Sequence, residues 1–287
     1  MSSGKRRTWT AARARRAVAN RGRRIRKALR RQAAGPTGAT PDIVLIFGCQ
    51  RSGTTMLLDI FDQDLDAMIY RDVGRLTTED IETSIRLNSL DSVEREFVRC
   101  KAPLVVAKPI VESQRSQEIL DRFPSARGIW IYRDYRAVAA SDLKLFGEDN
   151  GIRNLKAIVD GSLKNWRAEG VSREVRATVT SHWSPNMNPY DAAAIFWYAR
   201  NSLFFEQHLE THNRVQLLRY EDFVRTPAVH MANLYSWMDR AFPGPRLVRD
   251  VHSSSASKGR DLPLSEGVFT LCESLSTRLQ VSSSAPR

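Results

Sequence analysis

The chain has 287 residues, of which 42% are hydrophobic and 26% charged, with a formal net charge of +12. That length suits one large domain with a tail and can bury a sizeable core. Residues 1–31 hold 13 Lys or Arg and no acid, whereas residues 32–287 hold 31 basic and 32 acidic groups, so the high pI does not make the globular part a specific nucleic-acid binder.

The basic arm and its linker, residues 1–40, read first as a disordered, solvated tail, because like charges repel and little there is apolar. The Ala-Arg-rich stretch 11–31 carries a partly helical alternative. Residues 5–31 are also a candidate contact for an anionic membrane or another polyanion. No apolar segment of the secretory type follows the basic residues, while an Arg-rich, acid-free leader is also the composition of a transit peptide. No apolar run reaches membrane-spanning length. Cys49, Cys100 and Cys272 are scattered, odd in number and free of C-x-x-C spacing, which fits a reducing compartment better than a disulfide or zinc framework. The expected location is cytoplasmic, with membrane-surface association as the alternative. Cys49 reads as a small filler residue, since no histidine partner lies nearby in sequence.

After the linker at 33–41, apolar runs alternate with helical patterns. Ile43–Phe47 is a buried strand and Thr54–Phe61 a helix. Leu104–Ala107 is a second strand, and Ser113–Phe123 a helix. Gly128–Tyr132 is a third strand, and Tyr135–Leu145 a helix. A mostly helical insertion follows, including Leu155–Glu169. Asn188-Pro189 caps a long helix through Phe204. Val215–Leu218 is a fourth strand, Thr226-Pro227 opens a further helix, and Ser265–Leu279 is the last. Residues 281–287 read as a flexible tail. Continuously apolar strands separated by helices predict an α/β fold: a P-loop-like parallel sheet with helices on both faces and helical insertions, over residues 41–280.

In such a sheet, ligands bind beyond the carboxyl ends of the strands. The segment F-G-C-Q-R-S-G-T-T-M follows the first strand, and Gly48 and Gly53 have phosphate-loop spacing. The lysine of G-x-x-x-x-G-K-[ST] is replaced by Thr54. The loop can cradle a phosphate through Gly53, Thr54 and Thr55 at a helix start, but lacks the lysine that reaches the β/γ-phosphates of ATP. Arg51 and Ser52 add a permanent cation and a hydroxyl. Lys108 follows the second strand. Arg133, Asp134, Arg136 and Ser141 follow the third. Arg219, Tyr220, Glu221 and Asp222 follow the fourth. Two basic cradles on one sheet suggest a ligand with phosphate at both its 5′ and 3′ positions.

G-C-Q-R-S-G-T-T resembles the 5′-phosphosulfate loop of the PAPS-dependent sulfotransferase family, in the form that has Arg before S-G-T-T. I-Y-R-D-Y-R-A-V-A-A-S resembles that family's 3′-phosphate motif, with Arg133 and Ser141 at its spacing. R-Y-E-D-F resembles a later motif whose tyrosine, here Tyr220, lies near the nucleotide. S-K-G-R, with Lys258, weakly resembles a late 3′-phosphate loop. The resemblance implies transfer of a sulfuryl group from 3′-phosphoadenosine-5′-phosphosulfate (PAPS) to a hydroxyl or amine acceptor, without a metal. Arg51 would then act electrostatically, because guanidinium does not deprotonate. The implied nucleotide contacts are Gly48, Arg51, Ser52, Gly53, Thr54, Thr55, Arg133, Ser141, Tyr220 and Lys258. The base that takes the acceptor proton is Asp72 first, with Glu79, Glu112 and His182 as alternatives. Trp166, Trp183 and Trp197 are candidate pocket walls, with Trp197 favoured as core. Rival readings are a non-catalytic nucleotide-binding scaffold of the same fold and a P-loop kinase using Asp134 at a metal. The acceptor is unspecified.

Overall fold

A computed structural model describes residues 21–23, 25–30, 32, 40–80, 84–162, 164–252 and 261–284. Five strands, β1 (Asp42–Gly48), β2 (Ala67–Tyr70), β5 (Leu104–Ala107), β6 (Ala126–Tyr132) and β7 (Val215–Arg219), form one all-parallel sheet in the order β2-β5-β1-β6-β7. Strands β3 (Thr77–Asp80) and β4 (Ser84–Leu87) make a separate antiparallel hairpin. Side chains alternate across the sheet with period two, and both faces are buried. Ile43, Leu45, Phe47, Trp130 and Tyr132 pack into one apolar cluster; Val44, Ile46, Ile129 and Ile131 pack into the other. That double coverage explains why these strands read as unbroken apolar runs.

Helix α2 (Thr54–Phe61) joins β1 to β2, and α3 (Leu90–Arg99) leads to β5. A 3-10 turn (Ile110–Arg115) and α4 (Ser116–Arg122) cross from β5 to β6. Next come α5 (Tyr135–Phe146), α6 (Asp149–Val159), α7 (Arg173–His182), α8 (Pro189–Glu206), α9 (Tyr220–Arg225), α10 (Pro227–Trp237) and α11 (Glu266–Ser284). The second face packs on α2, α9 and α10, and the first on α5, α6, α8 and α11. Helix α8 is the hub of the first face: Trp197, Arg200 and Phe204 are fully buried. Trp197 is therefore core, as expected, and its Nε1 donates to the Arg133 carbonyl at 2.8 Å.

Four local readings change. Strand β2, a short apolar run A-M-I-Y, and the β3–β4 hairpin, which has no such run, were not expected. The helix over Ser113–Phe123 splits at Arg115, which leaves helical geometry (φ −116°, ψ 20°): Ser113–Arg115 belong to the 3-10 turn and α4 starts at Ser116. The insertion helix is α6, ending at Val159, rather than one running to Glu169. The tail does not begin at 281: α11 continues to Ser284, and the Ser283 hydroxyl meets Tyr132 Oη at 3.2 Å. Packing on the sheet overrides the Ser-rich composition.

The arm changes most. Its described residues 21–23, 25–30 and 32 are helical, here α1. Arg23 pairs with Asp62 at 3.0 Å, Lys27 with Asp62 at 2.9 Å, and Arg30 with Asp66 at 2.6 Å. Lys27 is buried and also donates to the Ala67 carbonyl at 3.0 Å. This stretch is a docked element of the domain rather than a solvated tail, because the α2–β2 turn offers carboxylates at helical spacing. Lys27→Ala is expected to lower stability by about 1–3 kcal/mol, since it removes one donor each from the Ala67 carbonyl and from Asp62, which keeps Arg23, and empties the space of a buried side chain. A thermal melt checks this; an unchanged melting temperature would mean that α1 is not held by this contact.

Candidate active site

All five carboxyl ends of the sheet open on one side, and the chain crosses β1 in passing from β5 to β6. The crevice at this crossing is where an open α/β sheet binds its ligand. The β1–α2 loop fills it. Gly48 has φ +130°, and a Cβ there would lie 2.3 Å from the Ile131 carbonyl oxygen. Gly53 has φ +96°, and a Cβ there would lie 2.4 Å from Tyr220 Cδ2. Both positions require glycine on two grounds, conformation and space. Arg51 between them is also left-handed, at φ +66°, a backbone geometry that side chains adopt at some cost.

Gly53 caps α2 with no side-chain hydrogen bond, so the first N–H groups of this helix face the crevice uncapped. Helix α5 differs. Asp134 accepts from the Arg136 and Ala137 backbone N–H groups at its start and pairs with the Arg136 side chain at 2.6 Å. That commitment explains its lowered pKa, set by Arg136 and the two backbone donors against burial. Asp134 is spent on capping, which removes the carboxylate a kinase reading needs. Ser52 is fully buried, and its Oγ has no hydrogen-bond partner. A buried hydroxyl left so inside a phosphate loop suits an anionic oxygen.

The two sequence motifs meet. Arg51 Nε donates to Ser141 Oγ at 3.0 Å, across 90 residues. Arg133, 7% exposed, places its guanidinium 4.5 Å from the Tyr220 ring centroid, a cation–π distance. A cleft of about 420 Å³ is lined by Arg51, Thr55, Met56, Arg133, Tyr220 and His252 among others. Of the residues expected around a nucleotide, Gly53, Thr54, Thr55, Arg51, Arg133 and Tyr220 line it. Gly48 and Ser52 lie in the loop beneath, and Ser141 joins through Arg51. Lys258 lies outside the described residues.

One strand-end group, Lys108, had a place in the sequence reading but no role. Lys108, 6% exposed, donates to Thr55 Oγ1 at 2.9 Å and pairs with Asp72 at 2.6 Å. The loop's absent lysine is thus matched by one from the end of β5. The available signal was a lysine directly after a buried strand, which alone does not reveal its partner. Asp72, two residues past the end of β2, meets the loop through Lys108. Burial pushes its carboxyl above the ordinary range, and the Lys108 charge works against that rise. Its Oδ1 is buried without a hydrogen-bond partner.

The alternative bases are placed elsewhere. Glu112 is fully buried and accepts from Arg86 at 2.8 and 3.0 Å and from the Leu87 N–H at 2.9 Å. It clamps the β3–β4 hairpin to the 3-10 turn. Glu79 is exposed on that hairpin. His182 ends α7, with Nδ1 2.9 Å from its own helix's Thr178 carbonyl. Burial pushes the Cys49 thiol up to about 12, which fits a filler and not a nucleophile. Trp166 is buried core, stacked by Arg167 and Arg200, so it walls no acceptor pocket.

Among the described residues no group of His, Cys, Asp and Glu is placed to hold a metal, and no helix is long and apolar enough to cross a membrane. No curated protein matches the sequence. A solved sulfotransferase domain from the curacin biosynthetic pathway is 17% identical, with a TM-score of 0.52 over 82% of this chain and 98% of its own. A solved sulfotransferase from Alicyclobacillus acidocaldarius is 13% identical, with a TM-score of 0.45 over 87% of this chain and 98% of its own. The sulfotransferase domain family model matches residues 41–273. That span takes in the whole parallel sheet, the β1–α2 loop and every strand end described above, and the chain belongs to the sulfotransferase domain family.

Proposed function

We propose that the chain moves a sulfuryl group from PAPS to a hydroxyl or amine acceptor. One observation carries the choice of donor: an uncapped phosphate loop without a lysine of its own shares a cleft with Arg133 and, through Arg51, with Ser141. The bound donor supplies the sulfuryl group and an anionic leaving group. The Gly53–Thr55 backbone and Ser52 hold the 5′ end, and Arg133 and Ser141 hold the 3′-phosphate, with Lys258 as a candidate third contact. Met56 and Tyr220 wall the cleft beyond the loop, a setting that suits a flat base.

The work of the remaining residues follows from their charge. Arg51 and Lys108 place two cations at the loop, where negative charge builds on the transferred group and its leaving oxygen. Asp72 takes the acceptor proton. A carboxyl raised by burial is a better base near neutral pH than an ordinary one, and its unpartnered Oδ1 is the atom that receives the proton.

Adenosine 3′,5′-bisphosphate at about 100 times its dissociation constant is expected to add about 2.7 kcal/mol, a rise of about 5–10 °C for a chain of this size. ATP with magnesium is expected to raise it less, because the loop has no lysine for the β/γ-phosphates. Equal shifts in a thermal-shift assay would remove the PAPS assignment.

A further inference from the structure

The docked arm helix is reversed relative to an ordinary surface helix, which buries its apolar stripe and exposes its charges. In α1 the charged stripe faces inward: Arg23, Lys27 and Arg30, at spacings of four and three, bond to Asp62 and Asp66. Ile25 and Leu29, four apart on the opposite face, are 54% and 59% exposed. Arg21 and Arg26 are exposed beside them. Domain docking therefore consumes cations and leaves two large aliphatic side chains in water, at a cost that no contact among the described residues offsets.

We propose that this outer face is a docking surface for an anionic lipid bilayer. Aliphatic side chains flanked by arginines match the boundary between acyl chains and acidic headgroups: the aliphatics enter and the guanidinium groups stay at headgroup level. The charge is complementary, since residues 1–31 hold 13 cations and no acid, and each cation near such a surface strengthens binding about fivefold. Asp62 and Asp66 neutralise Arg23, Lys27 and Arg30 on the inner side, so the cations that meet the surface from α1 are Arg21 and Arg26, exposed on the outer face. A nucleic acid fits less well, because single strands are gripped by cations with aromatic stacking, and the outer face of α1 offers aliphatic side chains. The surface is independent of the donor site and does not rest on the PAPS reading.

The full chain is tested by flotation with vesicles of phosphatidylcholine alone and with about one quarter phosphatidylserine, at low salt and at about 0.5 M salt. It is expected to float with the anionic vesicles at low salt only. The double variant Ile25→Ser, Leu29→Ser keeps Arg23, Lys27 and Arg30, so its melting temperature is expected to stay that of the wild type. Its affinity for anionic vesicles is expected to fall by about tenfold or more, since membrane affinity scales with buried apolar area. The proposal is overturned if neither vesicle retains the chain, if both retain it equally, or if the variant binds like the wild type. In a parallel arm, poly-uridine RNA is titrated into the vesicle-bound chain. If RNA displaces the wild type and the variant alike, with equal affinity for both, the arm reads polyanion charge alone and the lipid surface is rejected.

Discussion

Arg51→Ala is expected to lower turnover by about 10³-fold while leaving the fold in place, because removing one fixed donor to developing charge costs about 10²–10³ and a phosphoryl-transfer arginine up to about 10⁵. Arg51 combines three features that no other residue of the loop shares: left-handed backbone (φ +66°), a bond from its Nε to Ser141, and a place in the wall of the cleft. Alanine in the same backbone geometry keeps the loop but loses the cation and orphans Ser141 Oγ. Stability is therefore expected to change by only about 1 kcal/mol, the scale of one lost hydrogen bond. Arg51→Lys keeps the charge and loses the planar fork, so its activity is expected between the two. Single-turnover transfer from labelled donor, read beside a melting curve, checks the set. Near-full activity in Arg51→Ala would place the transition-state charge elsewhere.

Lys108→Met is expected to cost about 10²–10³ in turnover and to move the acid limb of the pH–rate profile to higher pH. The sign follows from the environment of Asp72. Burial raises its carboxyl pKa, and the Lys108 charge and hydrogen bond lower it. Removing Lys108 leaves burial opposed only by the Arg71 charge, so Asp72 becomes protonated at a higher pH and loses its capacity as a base there. A variant whose activity falls but whose acid limb stays put would show that Asp72 is not the base. Thr55 links this pair to the loop through its bond to Lys108, so the same substitution also loosens the first turn of α2. Donor affinity is expected to weaken together with turnover.

Much of the site was legible because its signals are local. Gly48 and Gly53 are spaced by the turn they make, and the apolar run before them is spaced by the strand. Arg133 and Ser141 sit eight residues apart at a strand end and inside the next helix, so the α/β alternation alone places both near the crevice. Strand β2 was not legible. Its four residues, A-M-I-Y at Ala67–Tyr70, form an apolar run too short to be told by periodicity from the end of a buried helix. Glu112 was an alternative base in the sequence reading. Its burial under Arg86 and Arg115 depends on a hairpin with no sequence signature.

The amino-acid sequence alone determines the parallel α/β sheet, the glycine loop after β1 with Thr54 where a P-loop has lysine, and the basic residues at the end of β6. Each is written in residues close along the chain, where steric limits on turns and the period of strands act directly. Tertiary structure decides three other matters. It brings Lys108, Thr55 and Asp72 together from different strand ends. It spends Asp134 on a helix cap and Glu112 on a clamp. It turns the cations of the arm inward onto Asp62 and Asp66 and leaves Ile25 and Leu29 outside. The physical reason is common to all three: the pairing and desolvation of a charge depend on which distant groups the packed sheet delivers beside it, and no local periodicity encodes that.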